Sequence, residues 1–143
     1  MTRFLEAAET ATGDRPALSD VAEYAYAAVT APGATWIHVA GACPLDPGGA
    51  TVAVGDVAGQ AAVAVANLEQ SLAAAGAGLT DVVRTTVYVA SDTQEDLVAA
   101  WEVVRDRFAP HRPPSTLLGG AVLGYHDQLV EIEAVAAVDD GSP

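Results

Sequence analysis

The sequence contains no lysine and a single cysteine, and each shortage excludes a kind of chemistry. All 6 basic residues are arginines, so no Schiff base can form on a lysine amine. Cys43 has no second cysteine with which to form an intramolecular disulfide, which is typical of a reducing compartment. The first ten residues include Glu6 and Glu9 and lack the apolar run of a signal peptide, so we expect a cytoplasmic protein.

Positive charge is scarce as well. The chain has 19 acidic residues against those 6 arginines, which gives a formal net charge of −13 at pH 7. Such a surface repels a phosphate backbone and an anionic membrane, because binding to either needs a basic patch. No run of about 18 uncharged apolar residues is present that could cross a bilayer. We therefore expect neither nucleic acid nor membrane as a partner.

Sequence motifs for metals and cofactors are also missing. The histidines His38, His111 and His126 are not spaced as a metal-binding pair, and one cysteine adds no second ligand. No serine lies in the G-x-S-x-G turn of hydrolases. The glycines on either side of Ala77 follow a predicted helix, whereas a dinucleotide-binding loop precedes one. The sequence thus predicts no metal site and no cofactor.

The spacing of apolar residues predicts one α+β domain. Alternating or β-branched runs predict strands at residues 24–29, 35–40, 82–89, 115–123 and 129–138. Spacings of three and four predict a helix over 57–75, between an Asp56 N-cap and Gly76, and a second that Asp92 caps and Pro110 ends. The order β-β-α-β-α-β-β packs both helices on one face of a mixed sheet. The other face keeps apolar residues without a helix to cover it, which indicates oligomerisation.

The two ends of the chain lie outside this pattern. Phe4, Leu5 and Ala8 predict a short helix within an N-terminal extension, residues 1–20. Residues 139–143 combine two aspartates with glycine, serine and proline, and we expect a frayed tail there. The folded domain is therefore predicted at residues 21–138.

Glu131 and Glu133 are the acids most suited to chemistry. They lie two apart in an otherwise apolar strand, so both carboxylates face the same side of the sheet. Partial burial and proximity would make one of them a usable acid or base. In the alternative interpretation, one glutamate forms a stabilising ion pair with an arginine such as Arg84. The spacing alone leaves both interpretations open, and it predicts only a buried, inert thiol for Cys43.

Two longer segments resemble a known family. Residues 67–89 join the end of the first helix, a glycine and a strand that reads DVVRTTVYV. Residues 113–136 begin with PPST and end with LVEIEAVA. Together with an early strand that ends in Ala40-Gly41 before Pro44, they resemble the Rid family (YjgF/YER057c/UK114) over about residues 20–138.

This resemblance implies a chorismate-mutase-like fold assembled as a homotrimer, with a central barrel formed by three sheets and the helices outside. It also implies ligand sites in clefts between subunits. The best-known members hydrolyse reactive enamines and imines to 2-oxo acids and ammonia. The resemblance therefore implies a small-molecule ligand for this chain.

Carried over residue by residue, the resemblance implies a site that is only partly preserved. Glu131 matches the family's glutamate on the last strand and is the implied catalytic residue. Tyr24 matches a first-strand tyrosine, although Tyr26 lies nearby and competes for that role.

Other positions depart from the family pattern. Pro114 stands where the family has the arginine that grips the substrate carboxylate, so that bidentate clamp is lost. Arg112, two residues upstream, either reaches the cleft instead or is a surface residue. Thr116 replaces a frequent cysteine, and Trp101 replaces a polar residue on the second helix. We expect Tyr24, Trp101, Arg112 and Thr116 to bind the substrate.

The main hypothesis is a diverged Rid-like enzyme that acts on an imine, enamine or carbonyl-bearing metabolite. The missing arginine puts the usual 2-imino acid deaminase activity in doubt. It also favours the alternative of a non-catalytic trimer that binds a metabolite or a protein. A ribonuclease activity, once attached to the family, is disfavoured by the charge of −13.

Overall fold

Strand β6, Val130–Val138, is paired on both sides and organises the main sheet of the computed structural model, which describes residues 1–139. Strand β3, Thr35–Ala42, runs antiparallel to one side of it, and strand β4, Val82–Val89, runs antiparallel to the other. Strand β5, Ser115–Leu118, is parallel to β4 at the sheet edge. The order β3-β6-β4-β5 therefore makes the mixed sheet that the sequence predicted.

Helices α1, Val57–Ala74, and α2, Gln94–Phe108, pack against each other on one face of this sheet. Asp56 caps α1 by accepting a hydrogen bond from the backbone N–H of Gly59 at 2.9 Å. Gly76, just beyond the helix, has φ of +87°, a conformation that favours glycine. Both predicted ends of α1 are thus confirmed.

The core fills the layer between the helices and the sheet. Its largest fully buried side chains come from α1, α2, β4 and β6. They include Leu68, Leu72, Val87, Val89, Val104, Val130 and Ile132. Burying each such side chain contributes roughly 1.5–3 kcal/mol, so this apolar layer is the main force that holds the helices on the sheet.

The start of α2 differs from the prediction. Thr93 is the N-cap, without a capping hydrogen bond from its side chain, and Asp92 is not the cap. Ser91 takes over part of that role because its hydroxyl accepts from the N–H of Thr93 at 3.2 Å and donates to Asp96 at 2.6 Å. A serine two residues before the helix thus displaces the predicted aspartate. Pro110 follows the helix end, as predicted.

The N-terminal segment also differs from the prediction. Strand β1, Arg3–Leu5, pairs antiparallel with strand β2, Ala27–Val29, and a 3-10 turn covers Ala7–Thr10. The predicted short helix is therefore wrong. Its apolar side chains are used in tertiary packing instead, since the ring of Phe4 meets His111 edge-on at 5.0 Å.

Two predicted strands are shorter than expected. Of residues 24–29 only the last three form a strand, and they pair with β1, outside the main sheet. The run 115–123 ends at Leu118, because Gly120 turns the chain at φ of +69° and donates to the carbonyl of Ser91 at 2.7 Å. The predicted tail at 139–143 lies outside the described residues except for Asp139, and the boundary after residue 20 stays a prediction.

The sheet face opposite the helices is not covered by any element within residues 1–139. Alternation places one mixed set of side chains on it: Trp36, His38, Arg84, Thr86, Tyr88, Thr116, Leu118, Glu131, Glu133, Val135 and Ala137. Trp36 is 50% exposed and Leu118 47%. The face, termed the open face below, is therefore uncovered as predicted but more polar than the sequence indicated.

Candidate functional site

A groove of about 420 Å³ opens between α2 and the edge strand β5. Five side chains line it: Tyr24, Trp101, Ser115, Thr116 and Leu117. Tyr24 meets Trp101 edge-on, with ring centres 6.1 Å apart, so the two rings form one firm apolar wall. Three predicted ligand-binding residues therefore lie together in what is termed the aromatic groove.

Arg112 lies beside this groove but does not line it. Its Nη2 donates to the carbonyl of Ala22 at 2.7 Å, and its Nη1 is 3.4 Å from a carboxylate oxygen of Glu6. These two contacts fasten the N-terminal segment to the chain before β5. In a single chain the guanidinium is thus engaged in a structural contact.

Arg84 is a cation that the sequence did not assign to the site. Its Nη2 donates to Oγ1 of Thr116 at 3.1 Å, from the neighbouring strand. Because Thr85 pairs with Ser115, Arg84 stands level with Pro114, on the same face as Thr116. None of the ion pairs found within residues 1–139 involves Arg84. Its position on the open face follows from alternation, but its register against β5 could not be read from the sequence.

The Glu131 carboxylate is half-buried on β6 and receives two donors on one oxygen. Sγ of Cys43 and Nε2 of Gln128 each lie 3.2 Å from Oε1. Burial first, and then the hydrogen bond to Glu131, raise the pKa of the Cys43 thiol to about 11. The thiol is therefore protonated at neutral pH and acts as a donor. Sequence spacing could not reveal this contact, since the two residues lie 88 positions apart.

The other oxygen of Glu131 lies against Gly41. A Cβ atom at position 41 would be 2.5 Å from Oε2, closer than Cβ atoms approach other heavy atoms in folded proteins. Gly41 and Cys43 also form part of the wall of a groove of about 560 Å³ between β3 and α1. Asn67 fixes that wall, because its Nδ2 donates to the carbonyl of Cys43 at 2.8 Å. Gly41 and Cys43 thus contact Glu131 and also border this groove, which Glu131 itself does not line.

Glu133 has a different environment from Glu131. The hydroxyl of Tyr88 donates to its Oε1 at 2.6 Å, and this hydrogen bond, more than burial, raises the pKa of Tyr88. The alternative in which Arg84 forms an ion pair with one of these glutamates is not found within residues 1–139. The two neighbouring carboxylates are therefore held by different partners.

Glu131 and the aromatic groove do not meet in a single chain. Glu131 lies on β6 and reaches toward β3, whereas Thr116 lies on β5, beyond β4. Tyr88 is paired with Glu131, and Thr86 is paired with both Thr116 and Glu133. The candidate site therefore consists of two parts separated across the open face.

Within residues 1–139, no group of three or more His, Cys, Asp or Glu side chains is arranged to hold a metal ion. Nor does any helix of that part combine the length and apolarity needed to cross a membrane.

A family model described as endoribonuclease L-PSP matches residues 15–138. A RutC family protein of Pyrococcus horikoshii is 32% identical over 101 residues, which cover 71% of this chain and 78% of that protein. The crystal structure of YyfB from Yersinia pestis, of the conserved Rid family, has a TM-score of 0.74 at 27% identity, over 81% of this chain and 87% of that one. The chain belongs to the Rid family.

The Rid resemblance predicted from residues 67–89 and 113–136 is therefore confirmed, and so is the Rid α+β fold. A further Rid-fold neighbour is Escherichia coli TdcF with bound serine. It has a TM-score of 0.63 at 27% identity and covers 81% of this chain and 88% of that one. Residue 114 of this chain is a proline, and its match to the position of the family's arginine stays a prediction.

Proposed function

We propose that this Rid protein is an enzyme that hydrolyses the C=N bond of a small imine, including an imine formed by tautomerisation of an enamine. We further propose that it works as a homotrimer, in which the open face of each sheet is covered and the two halves of the site come from adjacent subunits. The observation that carries the proposal is the Glu131 carboxylate, half-buried on the open face and fixed by two donors on one oxygen.

In the proposed reaction, water adds to the imine carbon while Oε2 of Glu131 accepts a proton from that water. Glu131 passes that proton to the imine nitrogen as the C–O bond forms, which gives a neutral carbinolamine and restores the carboxylate. In the second step Oε2 accepts the hydroxyl proton of the carbinolamine and delivers it to the nitrogen as the C–N bond breaks. Ammonia and a carbonyl compound leave, and Glu131 ends the cycle as a carboxylate.

The aromatic groove is the proposed wall for the ligand's carbon skeleton. Tyr24 and Trp101 offer ring faces and edges, and Thr116 offers a hydroxyl at the polar end. This wall suits a larger or less polar substrate than a three-carbon imine. TdcF, whose structure contains bound serine, supports an amino-acid-like ligand for the fold.

Two arginines are candidates for an anionic group on the ligand. Arg84 already donates to Thr116 and stands level with Pro114, so it is the favoured candidate. Arg112 is the second candidate, which would first have to leave Glu6 and Ala22. A guanidinium in either place would restore the charge that Pro114 cannot supply.

The second candidate function is a non-catalytic trimer that binds a metabolite. Pro114, in place of the clamp arginine, is the observation that favours it. It predicts binding without turnover, whereas the enzyme hypothesis predicts turnover that depends on Glu131.

The deciding experiment follows the lifetime of imines. An amino-acid oxidase generates 2-imino acids in situ, and semicarbazide traps whatever remains, with and without the protein. We expect the protein to shorten the lifetime of imines with larger side chains, and Glu131→Gln to abolish the effect. Glu133→Gln is the matched control, because that glutamate lies on the same strand but binds Tyr88. Unchanged lifetimes for every imine would contradict the enzyme and leave the binding function.

A further inference from the structure

Gln128 is a buried glutamine, 4% exposed, whose amide is hydrogen-bonded at both ends. Its Nε2 donates to the carbonyl of Val130 and to Oε1 of Glu131, both at 3.2 Å, and its Oε1 accepts from the N–H of Tyr125 at 3.1 Å. If the amide were reversed, its oxygen would face the Glu131 carboxylate and its NH2 group would face the backbone N–H of Tyr125. Neither pair can form a hydrogen bond. Only one orientation of the amide is therefore satisfied, and it points a donor at Glu131.

The donors divide the two oxygens of the carboxylate unequally. Gln128 and Cys43 both reach Oε1. No hydrogen bond from residues 1–139 reaches Oε2, which lies against the backbone of Gly41. One oxygen of Glu131 is thus held by two hydrogen bonds, and the other makes none within residues 1–139.

We infer that Gln128 is a positioning residue for Glu131: by holding Oε1 it fixes the carboxylate so that Oε2 faces the ligand or the attacking water. The inference rests on the proposed function in one respect, namely that a ligand or the attacking water binds Oε2. Gln128 touches no reacting atom. Its effect passes through the orientation of the carboxylate, as positioned groups in active sites require.

Cys43 provides a readout of this orientation that does not depend on turnover. Contact with the charged Glu131 helps to raise the pKa of the thiol, whereas the hydrogen bond from Gln128 lowers it. The two effects have opposite signs. If Gln128 only touched the thiol, its removal would raise the pKa of Cys43. If it holds Glu131 in place, its removal releases the carboxylate and the pKa of Cys43 falls.

The experiment measures the rate of Cys43 alkylation by iodoacetamide as a function of pH, with the intact chain. Since Cys43 is the only cysteine, the reaction needs no other substitution. The thiolate is the reactive form, so the rate follows its fraction. The variants are Glu131→Gln, Gln128→Leu and Gln128→Met. Methionine is unbranched and about as long as glutamine, so Gln128→Met serves if Gln128→Leu does not fold.

Gln60→Leu is the matched control. Gln60 is also fully buried and bonded to the same loop, through the carbonyl of Asp127 at 2.8 Å and the N–H of Leu129 at 2.7 Å. It makes no hydrogen bond to Glu131 or Cys43. Loss of this glutamine should lower the melting temperature and leave the Cys43 alkylation profile unchanged.

We expect Glu131→Gln to accelerate alkylation at pH 8 roughly severalfold, because it removes two of the causes that raise the pKa of Cys43 while burial, the largest, remains. Gln128→Leu and Gln128→Met should accelerate it by a smaller factor. On imine hydrolysis they should lower kcat about tenfold with KM within about twofold of wild type, because orientation and not binding is lost.

Slower or unchanged alkylation in both Gln128 variants would overturn the positioning role. Faster alkylation in a protein that hydrolyses no imine would support the positioning role while contradicting the proposed enzyme. The two failures are thus distinguishable.

Discussion

Arg84 donates a hydrogen bond from Nη2 to Oγ1 of Thr116 at 3.1 Å, across the only parallel pair of strands in the main sheet as described for residues 1–139. The contact ties a cation to a hydroxyl of the aromatic groove. It also sets that cation level with Pro114, where the side chain has no charge. Strand β4 thus brings the guanidinium of Arg84 level with Pro114, an uncharged residue just before β5.

The first prediction separates the two candidate arginines. Arg84→Gln should raise KM for a ligand with a carboxylate about 10- to 100-fold, because a charge-assisted hydrogen bond contributes about 1.5–3 kcal/mol. Arg112→Gln should change KM less than about threefold and lower the melting temperature, since it removes the contacts with Glu6 and Ala22. Steady-state kinetics and thermal melts of both variants provide the check. The reverse pattern would assign the ligand to Arg112.

The second prediction concerns the close approach of Gly41 to Glu131. In Gly41→Ala the new methyl group would overlap Oε2, so the carboxylate must move. We expect a loss of stability of about 1–3 kcal/mol and a strong loss of hydrolysis. Gly78→Ala is the control, because a methyl group there meets open space and the backbone is extended. Equal melting temperatures for Gly41→Ala and wild type would contradict the overlap.

The third prediction is a pH dependence of stability at alkaline pH. The folded-state pKa of Cys43, about 11, is above its ordinary value of 9.0, so the folded protein binds this proton more tightly than the unfolded chain. The contribution is fully present below pH 9 and is lost as the pH rises toward 11. Denaturant titrations at roughly pH 8.5 and 10.5, below and above the ordinary thiol pKa, measure this loss. The free energy of unfolding should fall more for wild type than for Cys43→Ala over this interval. Parallel curves would exclude a raised thiol pKa.

The fourth prediction compares the two helix caps. Asp56→Ala should lower the free energy of unfolding by about 0.5–2 kcal/mol, because it removes the hydrogen bond to the N–H of Gly59. Thr93→Ala should cost less, because the Thr93 side chain makes no capping hydrogen bond. Urea denaturation of the two variants measures the difference. A larger loss for Thr93→Ala would contradict the assignment of the caps.

The fifth prediction tests the assembly proposed for the open face. Sedimentation velocity should show a wild-type particle of three chains. Leu118→Glu, on the open face, should shift it to smaller species, since a charge would be buried in the interface. Val122→Glu is the control, because Val122 is 98% exposed in the loop after β5. A monomeric wild type would contradict the trimer and the shared site with it.

The sequence predicted the main sheet and both helices because each depends on a local period. The eight-residue strand β4 and the stripe of α1 repeat apolar residues at the spacing of their own element. A segment of three or four residues is too short for the helical and the strand spacing of apolar residues to be told apart. The strand at Arg3–Leu5 was therefore mistaken for a helix, and the strand predicted at residues 24–29 is twice as long as the one that forms, Ala27–Val29.

The candidate site was predictable only in part, for a similar reason. Family resemblance supplied Glu131, Tyr24 and Thr116, and the structure brings the latter two into one groove. The partners that hold these groups come from elsewhere in the chain. Cys43 meets Glu131, and Arg84 meets Thr116, only through strand register, which a single sequence does not determine.

The contact between Gly41 and Glu131 also constrains how this sequence can change over generations. A methyl group at position 41 displaces the carboxylate from its present place, whereas a shorter residue at 131 would leave room for it. Alanine at 41 therefore costs least in a lineage that has already lost this glutamate. The effects of changes at the two positions are thus not additive, and the order in which they arise matters.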